Sequence, residues 1–306
     1  MTKAGDRGGV AWPAEEFNDA AYLGENPDVM DAVSRGDLPS AWCHYVTFGF
    51  FEGRKGVPEA IRVVVSRLFE FSASLPPEQL ITRVQGSNDP LSFIKTGNRI
   101  AMDICRHSAP LINFSKAIEI LEFGVGCGRV LSPMMILAPS AHFVGSDVDR
   151  EAVAWCQEQF AKRQLASRVE FTSNNHFPPL PFASCYFDFV YVVSVFTHLP
   201  ETMQNQWLEE LARITKWDGA LAISVAGDRL IREHLNPEMR TRLDSDGFFY
   251  YPYGSTQGLP EYYQAAWHTR EYIWREWSKY FDIIDLIPSA IADHQDLVLC
   301  RKKRSL

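Results

Sequence analysis

The residues best suited by type and spacing to do chemistry are Glu122-Phe123-Gly124-Val125-Gly126-Cys127-Gly128-Arg129. They follow the apolar run AIEILEF and precede a helical pattern reaching Met135, so they read as strand, glycine turn and helix start. Such a turn aims backbone N–H groups at a ligand lying off the carboxyl end of the strand. Glycine is needed wherever the ligand approaches the backbone and leaves no room for a Cβ. The spacing is G-x-G-x-G, and the last glycine of a dinucleotide fingerprint would fall on Arg129. No Gly-Lys-Ser/Thr follows, which excludes a P-loop. Glu122 narrows the ligand further: a carboxylate here repels a pyrophosphate and attracts a cationic amino group.

A second acid, Asp147, ends the next strand, AHFVGSD, twenty-three residues after Gly124. A carboxylate there suits hydrogen bonds to two ribose hydroxyls, with Val148 beside the base. Asp149 is assigned to the N-cap of the helix that starts at Arg150.

The elements that must position these groups alternate along the chain. After the first two strands and a helix over Arg150 to Lys162 come RVEFT, then FDFVYVVSV, apolar throughout as a buried parallel strand should be. A helix over Glu201 to Ile214 carries Trp207, Leu208, Leu211 and Ile214 on one face, and ALAISVA is a fifth strand. FDIIDLI and DLVLCRK are separated by a link too short for a crossover helix, so they pair antiparallel. The pattern predicts an α/β fold with a doubly wound, mostly parallel sheet, seven-stranded and closed by an antiparallel strand.

These residues resemble the class I S-adenosylmethionine-dependent methyltransferases, whose motif is acid-x-G-x-G-x-G with an acid ending the second strand. The resemblance covers about residues 113 to 306 and implies the Rossmann-like methyltransferase fold with S-adenosyl-L-methionine as cofactor. The cofactor carries both an ammonium and a sulfonium, which suits Glu122. Ser173-Asn174-Asn175 occupies the stretch that contacts adenine, with Asn174 and Asn175 where many members have an aspartate. WLEELARITKWDGALAISV matches the family's helix end and fifth strand, with Asp218 replacing a proline. The cofactor set implied is Glu122, Phe123, Gly124, Gly126, Gly128, Arg129, Asp147, Val148, Asn174, Asn175 and Ser194.

Methyl transfer to an activated sulfonium needs positioning above all, worth up to about 7–11 kcal/mol. A hydroxyl acceptor gains about 10²–10⁴-fold more from a general base, and an amine has less need of one. His198, in Thr197-His198-Leu199-Pro200 beyond the fourth strand, is the first candidate base, followed by His268 and His294. The structural alternative for His198 is a helix cap. Phe248 to Phe281 is unusually aromatic. Trp267, Tyr272, Trp274 and Trp277 read as a helix face in the core. Tyr250, Tyr251 and Tyr253, with Gly247, Gly254 and Gly258, read as a lid over the acceptor.

The division expected is a loose tail over 1–15, a helical module over 16–57, a helical cap and connector over 58–112 and the catalytic domain over 113–306. Phe71 to Arg106 would cover the cofactor, with Gly86 and Gly97 close to it. FNDAAYLGENPDVMDAVSRGDLPSAWCHYVTFGFFEGRKG resembles a short helical module of bacterial extracellular and polysaccharide-associated proteins. Its core would be Tyr22, Val29, Val33, Trp42 and Tyr45, with His44 structural. That resemblance implies O-methylation of a sugar hydroxyl on a bacterial glycan or related small molecule, and a protein partner for the module, by association.

Composition excludes several classes. With 306 residues, 46% hydrophobic and 22% charged, the chain is globular. A net charge of −8 offers no footprint for nucleic acid. No run approaches the roughly 20 apolar residues of a membrane span, and the first residues lack a secretory signal, so a cytoplasmic location is expected. The six cysteines form neither a disulfide framework nor close metal-ligand pairs. The alternatives to sugar O-methylation are N-methylation of a small amine and a non-catalytic cofactor-binding scaffold. The glycine spacing and Glu122 disfavour an NAD-linked oxidoreductase, and the lack of paired acids after the fourth strand disfavours an aminopropyltransferase.

Overall fold

The structure is a computed structural model that describes residues 12–13, 17–70, 75–162, 167–254 and 259–303. Among these, seven strands form one sheet: β1 (Glu119–Phe123), β2 (His142–Asp147), β3 (Val169–Ser173), β4 (Phe187–Val192), β5 (Thr215–Val225), β8 (Phe281–Ile291) and β9 (Gln295–Lys302). Their order is β3-β2-β1-β4-β5-β9-β8. β9 runs antiparallel to both neighbours and the other pairings are parallel. This is the doubly wound, mostly parallel sheet expected from the alternation, with the antiparallel strand that the resemblance implies for a Rossmann-like methyltransferase fold. The inner strands are buried on both faces, with Ile120, Leu121, Phe189, Val190 and Val192 inaccessible, which is why they read as unbroken apolar runs.

Helices α7 (Leu131–Leu137), α8 (Arg150–Lys162) and α9 (Glu201–Ile214) connect the strands. α9 buries Trp207, Leu208, Leu211 and Ile214 on the face the spacing indicates. Among the described residues ahead of β1 are α1 (Asp19–Glu25), α2 (Pro27–Ser34), α3 (Ala41–His44), α4 (Glu59–Glu70), α5 (Glu78–Gln85) and α6 (Pro90–Ser108). α3 runs on into a wider turn over Tyr45–Gly49, where the Phe50 N–H reaches the Tyr45 carbonyl. The sheet face below α6 and α7 shares one apolar core with Tyr22, Trp42, Tyr45, Ile61 and Ile104. His44 is structural, its Nδ1 2.8 Å from the Tyr22 hydroxyl.

α6 is the element that ties this core to the glycine turn. Asp89 caps it by accepting from Leu91 and Ser92, with Pro90 at its first position. Phe93, Gly97, Ile100, Ala101, Ile104 and Cys105 form its buried stripe. A Cβ on Gly97 would lie 2.4 Å from the Arg129 carbonyl oxygen. Gly97 therefore packs under Arg129, and is not one of the residues lining the cavity described below.

Two expectations need correction. Most of the stretch expected to be a loose tail lies outside the described residues, but Trp12 is buried, with its N–H bonded to the Leu137 carbonyl at 2.8 Å. Trp267 is not on a helix with Tyr272 and Trp274. It lies in β7 (Ala265–His268), which pairs with β6 (Phe248–Tyr251) and sets Trp267 opposite Phe249. α10 (Asp228–His234) and α11 (Pro237–Asp246) precede that hairpin and α12 (Arg270–Glu276) follows it. Tyr272 and Trp277 are core residues, while Trp274 is 40% exposed.

Candidate active site

The strand order reverses beside β1, and there, at the carboxyl edge of the sheet, a cavity of about 880 Å³ opens. That is the place and the size expected of a ligand site in an open α/β sheet. Its lining includes Glu122, Phe123, Gly124, Gly126, Arg129, Asp147, Val148, Asn174, Asn175 and Ser194. Of the expected cofactor set only Gly128 is missing. It packs on α8, where an added Cβ would lie 3.4 Å from Cys156 Sγ and 3.5 Å from the Phe160 ring.

Gly124 and Gly126 have φ of +84° and +50°, a region other residues adopt at a cost, so the turn is specified by its glycines. The turn hangs from β2: Gly124 and Val125 donate to the Ser146 carbonyl at 2.8 and 3.1 Å. The Gly126 N–H donates to Asp147 Oδ2 at 2.6 Å, and the Asp149 N–H donates to Oδ1 at 2.8 Å. Each carboxylate oxygen keeps a lone pair for a further donor. Asp149 caps α8 through Glu151 and Ala152, and Arg83 of α5 pairs with both Asp149 and Glu151 at 2.8 Å. Asn174 Oδ1 accepts from Ser146 Oγ at 2.9 Å, which fixes that amide at the cavity wall.

Glu122 is 2% exposed. Its register partner on β4 is Tyr191, whose hydroxyl donates to Oε2 at 2.8 Å. Burial pushes the Glu122 carboxyl up to about 8 and that of Asp147 up to about 6. Arg129 lines the same cavity, and its Nε is buried without a hydrogen-bond partner. A buried acid as acceptor and a guanidinium whose buried Nε has no partner, both lining one cavity, fit the ammonium and carboxylate of an amino acid.

The histidines separate. His198 lines the cavity, and its Nδ1 lies at the Gln264 carbonyl oxygen, while its own carbonyl accepts the Gln264 N–H at 3.0 Å. A carbonyl can only accept, so Nδ1 carries the proton and Nε2 holds the lone pair. Burial lowers the pKa of the ring, which stacks on Tyr263 at 4.4 Å. His294 also lines the cavity, in the turn between β8 and β9. His268 does not. It is 2% exposed, its Nε2 bonds Gln204 Oε1 at 2.8 Å, and Gln204 Nε2 in turn donates to the Phe196 and Leu199 carbonyls. Proposed from its type alone as a base, His268 is a core residue.

The tyrosines that line the cavity are Tyr262 and Tyr263, not Tyr250, Tyr251 or Tyr253. Tyr250 instead donates to the Tyr262 carbonyl at 2.7 Å, and Tyr253 is 80% exposed. Gly254 lines the cavity; Gly258 is outside the described residues. Sequence reasoning missed Tyr191, although a lone hydroxyl in FVYVV, opposite Glu122 once the two strands are paired, was a usable signal. It also missed Gln264, Arg83 and Gln295, whose roles depend on contacts far apart in the chain.

Residues 120–219 match a family model described as a methyltransferase domain. That stretch of the chain is a methyltransferase domain. The chain is similar to several solved structures at low identity. One is an S-adenosylmethionine-dependent methyltransferase from Methanosarcina mazei, 17% identical over 63% of this chain and 95% of that one, with a TM-score of 0.48. Another, from Aquifex aeolicus, is 15% identical over 70% of this chain and 99% of that one, at 0.45. The mitomycin 7-O-methyltransferase MmcR is 16% identical over 70% of this chain, which spans 55% of its length, at 0.48. Among the described residues no helix is long and apolar enough to cross a membrane.

Proposed function

We propose that the methyltransferase acts on a hydroxyl of a sugar or related polyhydroxylated small molecule, with His198 as general base. The observation that carries this reading is the bond between His198 Nδ1 and the Gln264 carbonyl, which leaves Nε2 as the basic nitrogen of a ring at the cavity. The lowered pKa keeps that ring neutral, and so able to take a proton, at pH 7. Gln264 supports the same reading. It is 8% exposed, lines the cavity, and its Oε1 is buried without a partner, while its Nε2 donates to the Glu261 carbonyl. A hydroxylated acceptor would supply the missing donor. The resemblance of residues 17 to 56 to a module of polysaccharide-associated proteins supports the sugar class.

In this reading Glu122 holds the cofactor ammonium, Arg129 its carboxylate, Asp147 the ribose hydroxyls, and Val148, Asn174 and Asn175 the adenine, with Ser194 closing the wall. Bound cofactor supplies an activated methyl group on a sulfonium. His198 takes the hydroxyl proton at Nε2, and the Gln264 carbonyl stabilises the imidazolium that results. Tyr263 holds the ring plane, its own hydroxyl donating to the Ser194 carbonyl at 2.8 Å.

The test is methyl transfer from labelled cofactor to a panel of monosaccharides and oligosaccharides, with His198→Gln beside the wild type. The expected product is a methyl ether, formed about 10²–10⁴-fold more slowly by the variant, which still binds cofactor. A methylated amine as product, or a variant as fast as wild type, would refute the reading.

A further inference from the structure

We infer that residues 17 to 56 back the active site: Trp42, through Asp103, holds the β8–β9 turn that forms one wall of the cavity, which makes Asp103 a positioning residue. Asp103, on α6, is 1% exposed and has donors on every side. Trp42 Nε1 donates to Oδ1 at 2.7 Å, the Ala292 N–H donates to Oδ2 at 2.9 Å, and Arg99 Nε meets both oxygens at 2.9 Å. Arg99 also reaches Asp293 Oδ1 at 3.1 Å. One carboxylate thus joins the N-terminal helices, α6 and the turn.

The turn needs such a clamp. Ala292 and Asp293 have φ of +50° and +55°, and neither is glycine. Two successive residues in that region persist only where the surroundings over-determine them. Those surroundings are Asp103 on the Ala292 N–H, Arg99 on the Asp293 carboxylate and Arg229 on the Asp293 carbonyl. Ile291, Ala292, His294 and Gln295 line the cavity. Gln295 Nε2 lies 2.9 Å from Ser194 Oγ, at the end of β4. The path from Trp42 to the cavity wall is therefore continuous, and each link is a directional bond. Burying a carboxylate and a guanidinium contributes little stability over an apolar packing of similar volume, so the role inferred for this pair is to fix the geometry of the turn. The N-terminal helices are then a support for the site, whatever else they bind.

The test uses the full chain, with Trp42→Phe and Asp103→Asn set beside Arg54→Met. Arg54→Met breaks the pairs of Arg54 with Asp28 and Glu52 in the same helices but leaves Trp42 untouched. Hydrogen exchange of residues 289–295 is followed against β1 as reference. Affinity for S-adenosylhomocysteine, the demethylated cofactor, is measured by calorimetry well below each variant's melting temperature. In both network variants exchange of the turn is expected to rise about tenfold or more, and affinity to fall about 2- to 30-fold, with β1 unchanged. Arg54→Met is expected to lower the melting temperature and move neither readout. Turn exchange and affinity at wild-type level in Trp42→Phe would overturn the inference, even if that variant melts earlier. Trp42→Phe keeps the ring and loses the donor, so it decides the matter should Asp103→Asn fail to fold.

Discussion

Tyr191 and Glu122 face each other across adjacent parallel strands, with the tyrosine hydroxyl donating to Glu122 Oε2 at 2.8 Å. In the proposed reading this bond holds the buried acid that receives the cofactor ammonium. Removing the donor in Tyr191→Phe should weaken cofactor binding about 2- to 10-fold, the value of one ordinary hydrogen bond. Calorimetric titration of the variant checks it, and unchanged affinity would count against Glu122 as the ammonium site.

Cofactor binding should also depend on pH. The Glu122 carboxyl sits near 8 in the free protein, so it is mostly protonated at pH 7, and only its carboxylate can pair with an ammonium. Binding therefore releases a proton, and affinity rises with pH until the group is ionised. Between pH 6 and pH 8.5 the gain should approach roughly two powers of ten from this group alone. Titrations at pH 7 in two buffers of different ionisation enthalpy should give different apparent heats. Equal heats and a flat pH profile would contradict the assignment.

Gly97 is where α6 meets the glycine turn, and a Cβ there would strike the Arg129 carbonyl oxygen. Because the obstacle is backbone, Gly97→Ala should cost on the order of 1–3 kcal/mol in stability and weaken cofactor binding with it. Denaturant unfolding beside calorimetry measures both. Wild-type stability in this variant would mean that the helix is not packed where it is described.

The His268 ring stays neutral in the fold because burial drives its pKa down to about 3. The unfolded chain takes up the proton near 6.5, so stability conferred by this group is complete above that pH. It is lost as the pH falls from 6.5 toward 3, by at most about 1.4 kcal/mol per pH unit. His268→Gln should flatten the acid side of a stability–pH curve and leave methyl transfer intact. A transfer rate that collapses with normal stability would restore His268 as a base.

How much of this was legible beforehand depends on the range of the interaction. The sheet could be read from FDFVYVVSV and its neighbours because burial on both faces leaves an unbroken apolar run. Glu122, the glycines and Asp147 could be read because strand, turn and helix set their geometry within a few residues. Two of the three histidines proposed as bases do reach the cavity. Which of them carries a free lone pair depends on Gln264, sixty-six positions from His198. The aromatic stretch misled for the same reason. Helical spacing from Trp267 to Trp277 is real, but pairing with β6 takes Trp267 into a strand. The clamp on the β8–β9 turn joins Trp42, Asp103 and Ala292, and no local pattern marks it.

The most direct measurement is calorimetric titration of the full chain and of Asp147→Ala with S-adenosylmethionine, with NAD as control. One-to-one binding by the wild type, its loss in a folded Asp147→Ala, and no heat with NAD are the expected results. A wild-type chain that binds no S-adenosylmethionine, or an Asp147→Ala chain that binds it as tightly, would contradict the placement of the cofactor between Glu122 and Asp147.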